Sequence, residues 1–328
     1  MAAVVTNQDL RRTGAYVLQT LAVAAAYFLG GRLGLLGHLA AKHAVISPVW
    51  PPTGIAVACL LVLGLRCWPG IALGAFLVVA SVAPSLQPSV IGTVFGSTAA
   101  PVVAFLLLRA VGFSADLAHL RDGLELVFLG ALAAMTISAT SGAVLLLLTD
   151  KISAGGFWTV WLGWWVGDAM GVLIVTPILL MLRHARWPMD MSRWKEAVGT
   201  ALLIGALVPL FSYNRVSTLF LVYPLLIWTA LRFQLLGSML CALYASVMAT
   251  LVAMDRVGPF DHLTRAQVLM KLQAFNGSMA LTALLLSAVI TEQHNTRRSV
   301  AQACRELVTV LEHLTAGEAP DTRRSEER

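Results

Sequence analysis

The sequence predicts an all-α, polytopic integral membrane bundle of about ten membrane segments, and three observations carry that reading. Of its 328 residues, 58% are hydrophobic and 12% charged, with a mean hydropathy of +0.78; a soluble domain carries about 25% charged residues. Apolar runs near the roughly 18–20 residues that cross a bilayer recur along almost the whole chain. The basic residues fall in short clusters between those runs, where the positive-inside rule places them.

The segments lie near 14–36, 52–66, 69–83, 89–109, 124–149, 158–182, 197–213, 216–231, 235–254 and 268–291. Eight crossings result instead if 52–83 forms a re-entrant pair. With the N-terminus inside, the inner loops take Arg11, Arg12, Arg66, Arg109, Arg121, Arg183, Arg186, Arg193, Lys195, Arg232, Arg297 and Arg298. The outer loops take only Arg32, Lys42, Lys151, Arg215, Arg256, Arg265 and Lys271. Twelve against seven predicts cytoplasmic termini on an inner-membrane protein. Residues 1–13 are then a short tail, 14–292 the membrane domain, and 293–328 a polar tail. Arg11 and Arg12 precede a run too long for a cleaved leader, so it reads as an uncleaved first span.

Two Trp-Pro corners frame the shortest segments: Trp50-Pro51-Pro52-Thr53-Gly54 and Trp68-Pro69-Gly70. Proline suits the first helical turn, and tryptophan prefers the membrane interface. Each corner predicts a helix start at a headgroup boundary, one on each side. From Pro51 to Arg66 the helix spans only about 24 Å, against a hydrocarbon core of about 30 Å.

The stretch at 158–177 concentrates the remaining signal. Trp161, Trp164, Trp165 and Asp168 share one helical face, and Gly163, Gly167 and Gly171 repeat every four residues on the next. That small-residue row predicts close helix approach. An ionisable group inside a span is costly, so Asp168 is read as a ligand or proton site or as structural glue. Hydroxyls at Thr136, Ser138, Thr140 and Ser141 are its candidate partners. Trp228 and Arg232 lie one turn apart near an inner helix end. There Arg232 is either a snorkelling anchor or a cation turned inward toward Asp168 or an anionic ligand. Gln273 and Asn276 read as interhelical hydrogen-bond formers, with Gln273 also a sensing candidate.

Other chemistry is not indicated. Cys59, Cys67, Cys241 and Cys304 form no paired spacing, the histidines are scattered, and His38 and His43 are poorly spaced for a metal. No phosphate loop, nucleophile elbow or zinc-protease motif occurs, so no enzyme, metal or cofactor is expected. A basic stripe interleaved with aromatics is absent, which argues against nucleic acid. The stretch at 256–264 reads as a turn. After residue 292, Val300, Ala303, Leu307, Val310 and Leu314 keep a spacing of three and four. This is either a short coiled-coil seam or an amphipathic helix lying under the membrane. The last dozen residues read as disordered.

Trp50-Pro51-Pro52-x-Gly54, Trp68-Pro69-Gly70, Trp164-Trp165-x-Gly167-Asp168-x-x-Gly171 ending at Pro177, Trp228-x-x-x-Arg232-Phe233, Gly258-Pro259-Phe260 and Leu272-Gln273-x-Phe275 occur in that order. Together they resemble the bacterial membrane-associated sensor domain of the first MASE class, over roughly 14–292. Gln234 stands where that family often has glycine. The resemblance implies an integral membrane input module, usually followed by a histidine kinase, cyclase, phosphodiesterase or phosphatase. No such domain follows here, so a stand-alone sensor signalling to a separate cytoplasmic partner is expected, with an undefined small ligand, surrounding lipids and a homodimer as its associations. A small secondary transporter is the rival reading, because such proteins build sites from short, Pro- and Gly-broken spans around a carboxylate.

Overall fold

A computed structural model of the chain describes residues 2–36, 39–41, 44–82, 88–117, 119–184, 194–214 and 218–317. His38, His43 and, of the disordered end expected at 317–328, all but the helical Gly317 lie outside them. The described chain is a helical bundle: α1 (Ala2–Leu36), α2 (Pro51–Leu63), α3 (Trp68–Val82), α4 (Pro88–Ala110), α5 (Leu120–Leu148), α6 (Ala154–Arg183), α7 (Trp194–Tyr213), α8 (Val222–Asp255) and α9 (Arg265–Gly317). A small antiparallel hairpin of three-residue strands, Leu39–Ala41 and Ala44–Ile46, precedes α2. Among the described residues, eight helices are long and apolar enough to cross a membrane, and α2 is a shorter apolar one. A polytopic membrane bundle is therefore what the sequence encodes.

α8 is counted as one helix, yet it cannot be straight. Thirty-four residues of continuous helix reach about 50 Å. The structure instead brings both ends to one place. Thr218 Oγ1 donates to the Phe211 carbonyl at 2.9 Å, and Gly258 lies against the Tyr213 carbonyl. Leu219 joins Val252, Ala253 and Phe260 in one buried cluster. The chain reverses at Gln234, whose φ of 54° and ψ of −143° break the helix into two antiparallel arms. The segments predicted at 216–231 and 235–254 are these arms, so ten segments alternate in direction along the chain. An L-residue with positive φ and extended ψ stores about 1–3 kcal/mol of strain, which glycine relieves. Gln234→Gly is accordingly expected to raise the unfolding midpoint in detergent, by the equivalent of about 1 kcal/mol or more.

The segments assigned to 52–83 are two helices joined by a tight turn. Leu65–Val82 is long enough to span alone, while α2 covers thirteen residues, about 20 Å. Irregular chain, bent at Pro48 and Val49, leads into Trp50. The tight Gly64, with φ of 79°, turns α2 into α3.

Two faces follow from this alternation. On one lie the turn at Arg66, to whose carbonyl Tyr16 of α1 donates, and Glu292 of α9, which accepts from the Leu120 N–H. The opposite face is capped by the 258–260 turn, where Phe260 is fully buried and Lys271 Nζ donates to the Pro259 carbonyl at 2.8 Å. That stretch, read from sequence as a plain turn, is a packed plug. The main core runs through α2, α4 to α9, and a second cluster joins α1 to α4 around Tyr27, Leu60 and Ile71.

One helix, α9, carries both the last span and the polar stretch after it. Its fifty-three residues run without a break from the far face through position 317. The polar half continues the last span in the same unbroken helix.

Candidate functional site

The site is assembled where irregular chain meets α6. Trp50 N–H donates to the Gly167 carbonyl at 2.9 Å. A Cβ on Gly163 would press into Ile46, one on Gly167 into the Ser47 carbonyl, and one on Gly171 into the Trp50 carbonyl. The glycine row thus seats the irregular segment 46–50, and not the partner helix that its four-residue repeat predicted. Helix contact begins only at the far end of the row, where Gly54 of α2 abuts the Gly171 carbonyl. Irregular backbone at membrane depth is tolerated only when buried in protein, and this groove supplies that burial.

The same contacts place the first Trp-Pro corner along α6. Gly167 is the fourteenth of the thirty residues in Ala154–Arg183, about 20 Å from the start of that helix. Trp50, Pro51 and Pro52 therefore open α2 between the middle of α6 and the last turn of α1, where Gly34 lies against Trp50 and Pro51. Trp68, half-exposed beside the Gly64 turn, opens α3 at the face as expected, with Gly70 pressed on the Thr20 carbonyl of α1. Hydropathy reports which residues are apolar and not how deep a corner sits, so both corners look alike in sequence.

Asp168 lies at this junction and is buried. Thr53, in the first turn of α2, donates its hydroxyl to Asp168 Oδ1 at 2.6 Å. Ser138 of α5 supplies a second side-chain hydrogen bond. Pro51 and Pro52 have no N–H, so the usual anion-binding donors of a helix start are halved, and the Thr53 hydroxyl takes over the contact. Tyr27 of α1 is buried within electrostatic reach of the carboxylate and hydrogen-bonds Ser97 of α4 and Trp50. Thr176, beyond a π-turn at Gly171–Val175, donates to the Gly54 carbonyl at 3.0 Å and ties α2 to α6 a second time. Pro177 follows directly within α6.

The tryptophans lock α6 to α5. Trp165 Nε1 donates to the Leu132 carbonyl at 2.8 Å, in a second π-turn at Leu126–Ala133. Trp161 Nε1 donates to Thr140 Oγ1 at 2.9 Å and stacks on Trp165. Trp164 covers Gly142. Of the hydroxyls expected near Asp168, Ser138 reaches it and Thr140 serves Trp161. Paired π-turns on adjoining helices are the kind of local irregularity that clusters at functional sites.

Two other candidates separate. Gln273 of α9 reaches the junction: its Nε2 donates to the Gly163 carbonyl at 3.3 Å. Its Oε1, and both side-chain polar atoms of the fully buried Asn276, have no hydrogen-bond partner. Arg232 does not reach it. Its guanidinium pairs with Glu196, at the start of α7, on the face opposite the 258–260 plug. Trp228 beside it is 54% exposed. The inward reading of Arg232 is thereby corrected: a carboxylate on the neighbouring helix end satisfies it locally. Sequence reasoning passed over Thr53, Tyr27 and Ser97. Thr53 sits within the Trp-Pro-Pro-x-Gly motif, but the other two carry no local signal because α1 and α4 meet the site only in three dimensions.

Thr53→Val keeps the shape of the side chain and removes the donor. Its loss leaves a buried carboxylate oxygen without that bond, so unfolding free energy is expected to fall by about 1–3 kcal/mol, read from thermal unfolding in detergent. Among the described residues, no group of three or more His, Cys, Asp or Glu is placed to hold a metal ion.

The MASE1 family model matches residues 19–294. No curated protein matches the chain, and no solved structure does. The match covers most of the sequence, including every element of the junction around Asp168 and the spanning part of α9. On that ground, the chain belongs to the MASE1 family of membrane-associated sensor domains.

Proposed function

We infer that the chain is a signal-input module whose signal, a small ligand or a state of the membrane, is registered at the Asp168 junction and passed to a separate cytoplasmic partner. One observation carries this reading. A buried carboxylate at mid-depth is held by hydroxyls from two different helices, α2 and α5, at the first turn of a half-length helix. A ligand group that competes for Asp168 frees Thr53 and Ser138 together, and so loosens α2 and α5 from α6. Gln273 bonds α6 to α9, which gives the change a route to the polar tail. Such a device needs two arrangements with different affinity for the signal. The charge bias of the loops supports a bacterial inner membrane with both termini in the cytoplasm. A kinase, cyclase or phosphatase is the class of partner that fits a sensor of this family.

The transporter reading has a specific observation in its favour, since a helix start at mid-membrane beside a carboxylate is how secondary transporters form sites. One comparison separates the two. Crosslinking capture from native membranes is run with the whole chain and with a chain lacking 293–328. Tail-dependent recovery of a signalling enzyme is the expected result. Equal recovery from both forms, together with solute flux in proteoliposomes that Asp168→Asn abolishes, would replace the sensor with a transporter.

A further inference from the structure

We propose that α6, α8 and α9 enclose a site for a small cluster of ordered water, bound among Asn276, Gln273 and Ser246. Four side-chain atoms point to it. Among the described residues, Asn276 Nδ2 and Oδ1, Gln273 Oε1 and Ser246 Oγ are buried without a hydrogen-bond partner. Asn276 and Ser246 are fully buried as whole residues. None of the four atoms bonds another. An amide left bare at this depth is costly, and native interiors pair such groups with protein or with water.

Two bonds set the levels of these groups. Gln273 Nε2 donates to the Gly163 carbonyl, so its Oε1 sits beside α6. α5 begins at the face of Glu292, so α6 begins at the opposite one, as α9 does, and the two run parallel. One turn on from Gln273, Asn276 is level with Val166 and Gly167. On the other flank, Ser238 and Ser287 share a hydrogen bond of 2.5 Å between the second arm of α8 and α9. From that bond Ser246 lies about 12 Å along α8, and Asn276 about 17 Å back along the antiparallel α9. Hydroxyl and amide are thus within about one turn of each other.

The chemistry selects the occupant. Asn276 offers two donors and a carbonyl, Gln273 a second carbonyl, and Ser246 a hydroxyl that donates and accepts. A cation would suit the oxygens and oppose the Asn276 N–H groups, and an anion would do the reverse. The charged groups of these elements are engaged elsewhere, Lys271 with the Pro259 carbonyl and Asp168 with Thr53 and Ser138. Water donates twice and accepts twice, and a buried water needs two to four such partners. Along these stretches the buried neighbours are short: Ala245 and Ala249 on α8, and Ala280 on α9. The apolar cluster of Phe260, Val268 and Leu272 closes the site toward the plug. This site is separate from the hydroxyls on Asp168 and stands whatever that carboxylate registers. Its consequence is mechanical. Water bridges let α9 shift against α6 and α8 without stranding a buried amide, because each water can exchange partners.

The test is water-edited solid-state NMR of the full chain in lipid bilayers, with an NMR-visible nitrogen isotope in asparagine alone. Asparagine occurs at 7, 214, 276 and 295, and the exposed Asn295 serves as the wet reference. Asn276→Ser, which keeps a donor and an acceptor, assigns the Asn276 side-chain signal by its loss. Magnetisation is expected to pass from water to the Asn276 amide at a rate within about fivefold of that at Asn295. Slower transfer, as for an amide in a dry core, would overturn the proposal. Thermal unfolding in detergent is the second reading. Replacing a dry, unpaired amide by an apolar residue of similar size removes a cost and raises the midpoint. Replacing a hydrated one strands its partners, so Asn276→Leu is expected to lower the midpoint by about 2 °C or more. A midpoint that Asn276→Leu raises or leaves unchanged would overturn the water site. The NMR reading needs only the wild type and Asn276→Ser, so it decides the matter even where Asn276→Leu fails to accumulate.

Discussion

Gly171→Ala is expected to cost the bundle about 3 kcal/mol or more and to cut accumulation in the membrane sharply. The added methyl would overlap the Trp50 carbonyl, on a residue whose own N–H is bonded to Gly167, and no rotamer relieves the clash. Gly54→Ala meets the reciprocal obstacle, the carbonyl of Gly171. Relief requires α2 and the irregular chain to move off α6, which breaks the Thr53–Asp168 and Thr176–Gly54 bonds with it. Gly205→Ala and Gly277→Ala are the controls. Neither position has a neighbouring atom within 4 Å of the new methyl, so each is expected to stay within about 1 kcal/mol of wild type. Unfolding midpoints of the four purified variants decide the matter. A Gly171→Ala protein as stable as the controls would mean that the seat for residues 46–50 is not where the structure puts it.

The second large effect concerns Asp168 itself. Asp168→Asn keeps an acceptor for the Thr53 and Ser138 hydroxyls and removes a charge that is costly at this depth, so its stability is expected to change by less than about 1 kcal/mol. Asp168→Leu removes the acceptor and strands both hydroxyls in a buried site, each costing about 1–3 kcal/mol. A carboxylate kept only as glue is replaceable by an amide. One kept for sensing is not, and the tail-dependent response is then expected to vanish in Asp168→Asn while the fold persists. Expression, unfolding and capture of the cytoplasmic partner, measured on the same membranes, separate these outcomes.

The sequence made some of this legible and hid the rest for physical reasons. Segment order followed from hydropathy alone, including the two arms of α8, because Trp228 to Gln234 interrupts the apolar run with an arginine and a glutamine. The place of the Trp50 corner along α6 did not, since it is set by the bond from Trp50 to Gly167, 117 positions away. Gly163, Gly167 and Gly171 announced a close approach without naming the approaching element, because irregular chain and a helix both need the same absent side chains. Asp168, Trp164 and Trp165 stood out as polar and aromatic groups in an apolar span. Arg232 stood out equally, yet it meets Glu196, a residue whose position at a helix start gave no hint of pairing. Tyr27 and Ser97 read as ordinary members of apolar helices until packing brought them to Trp50.

The central claim is that the Asp168 junction is coupled to α9. Amide hydrogen exchange of the whole chain in lipid nanodiscs, wild type against Asp168→Leu, tests it without knowledge of the ligand. The account predicts that exchange changes by about tenfold, equivalent to about 1.4 kcal/mol of local stability, in the first turn of α2 and also along α9 from Gln273 toward the tail. A change confined to α2, α5 and α6, with α9 exchanging as in wild type, would contradict the coupling and leave Asp168 a structural carboxylate.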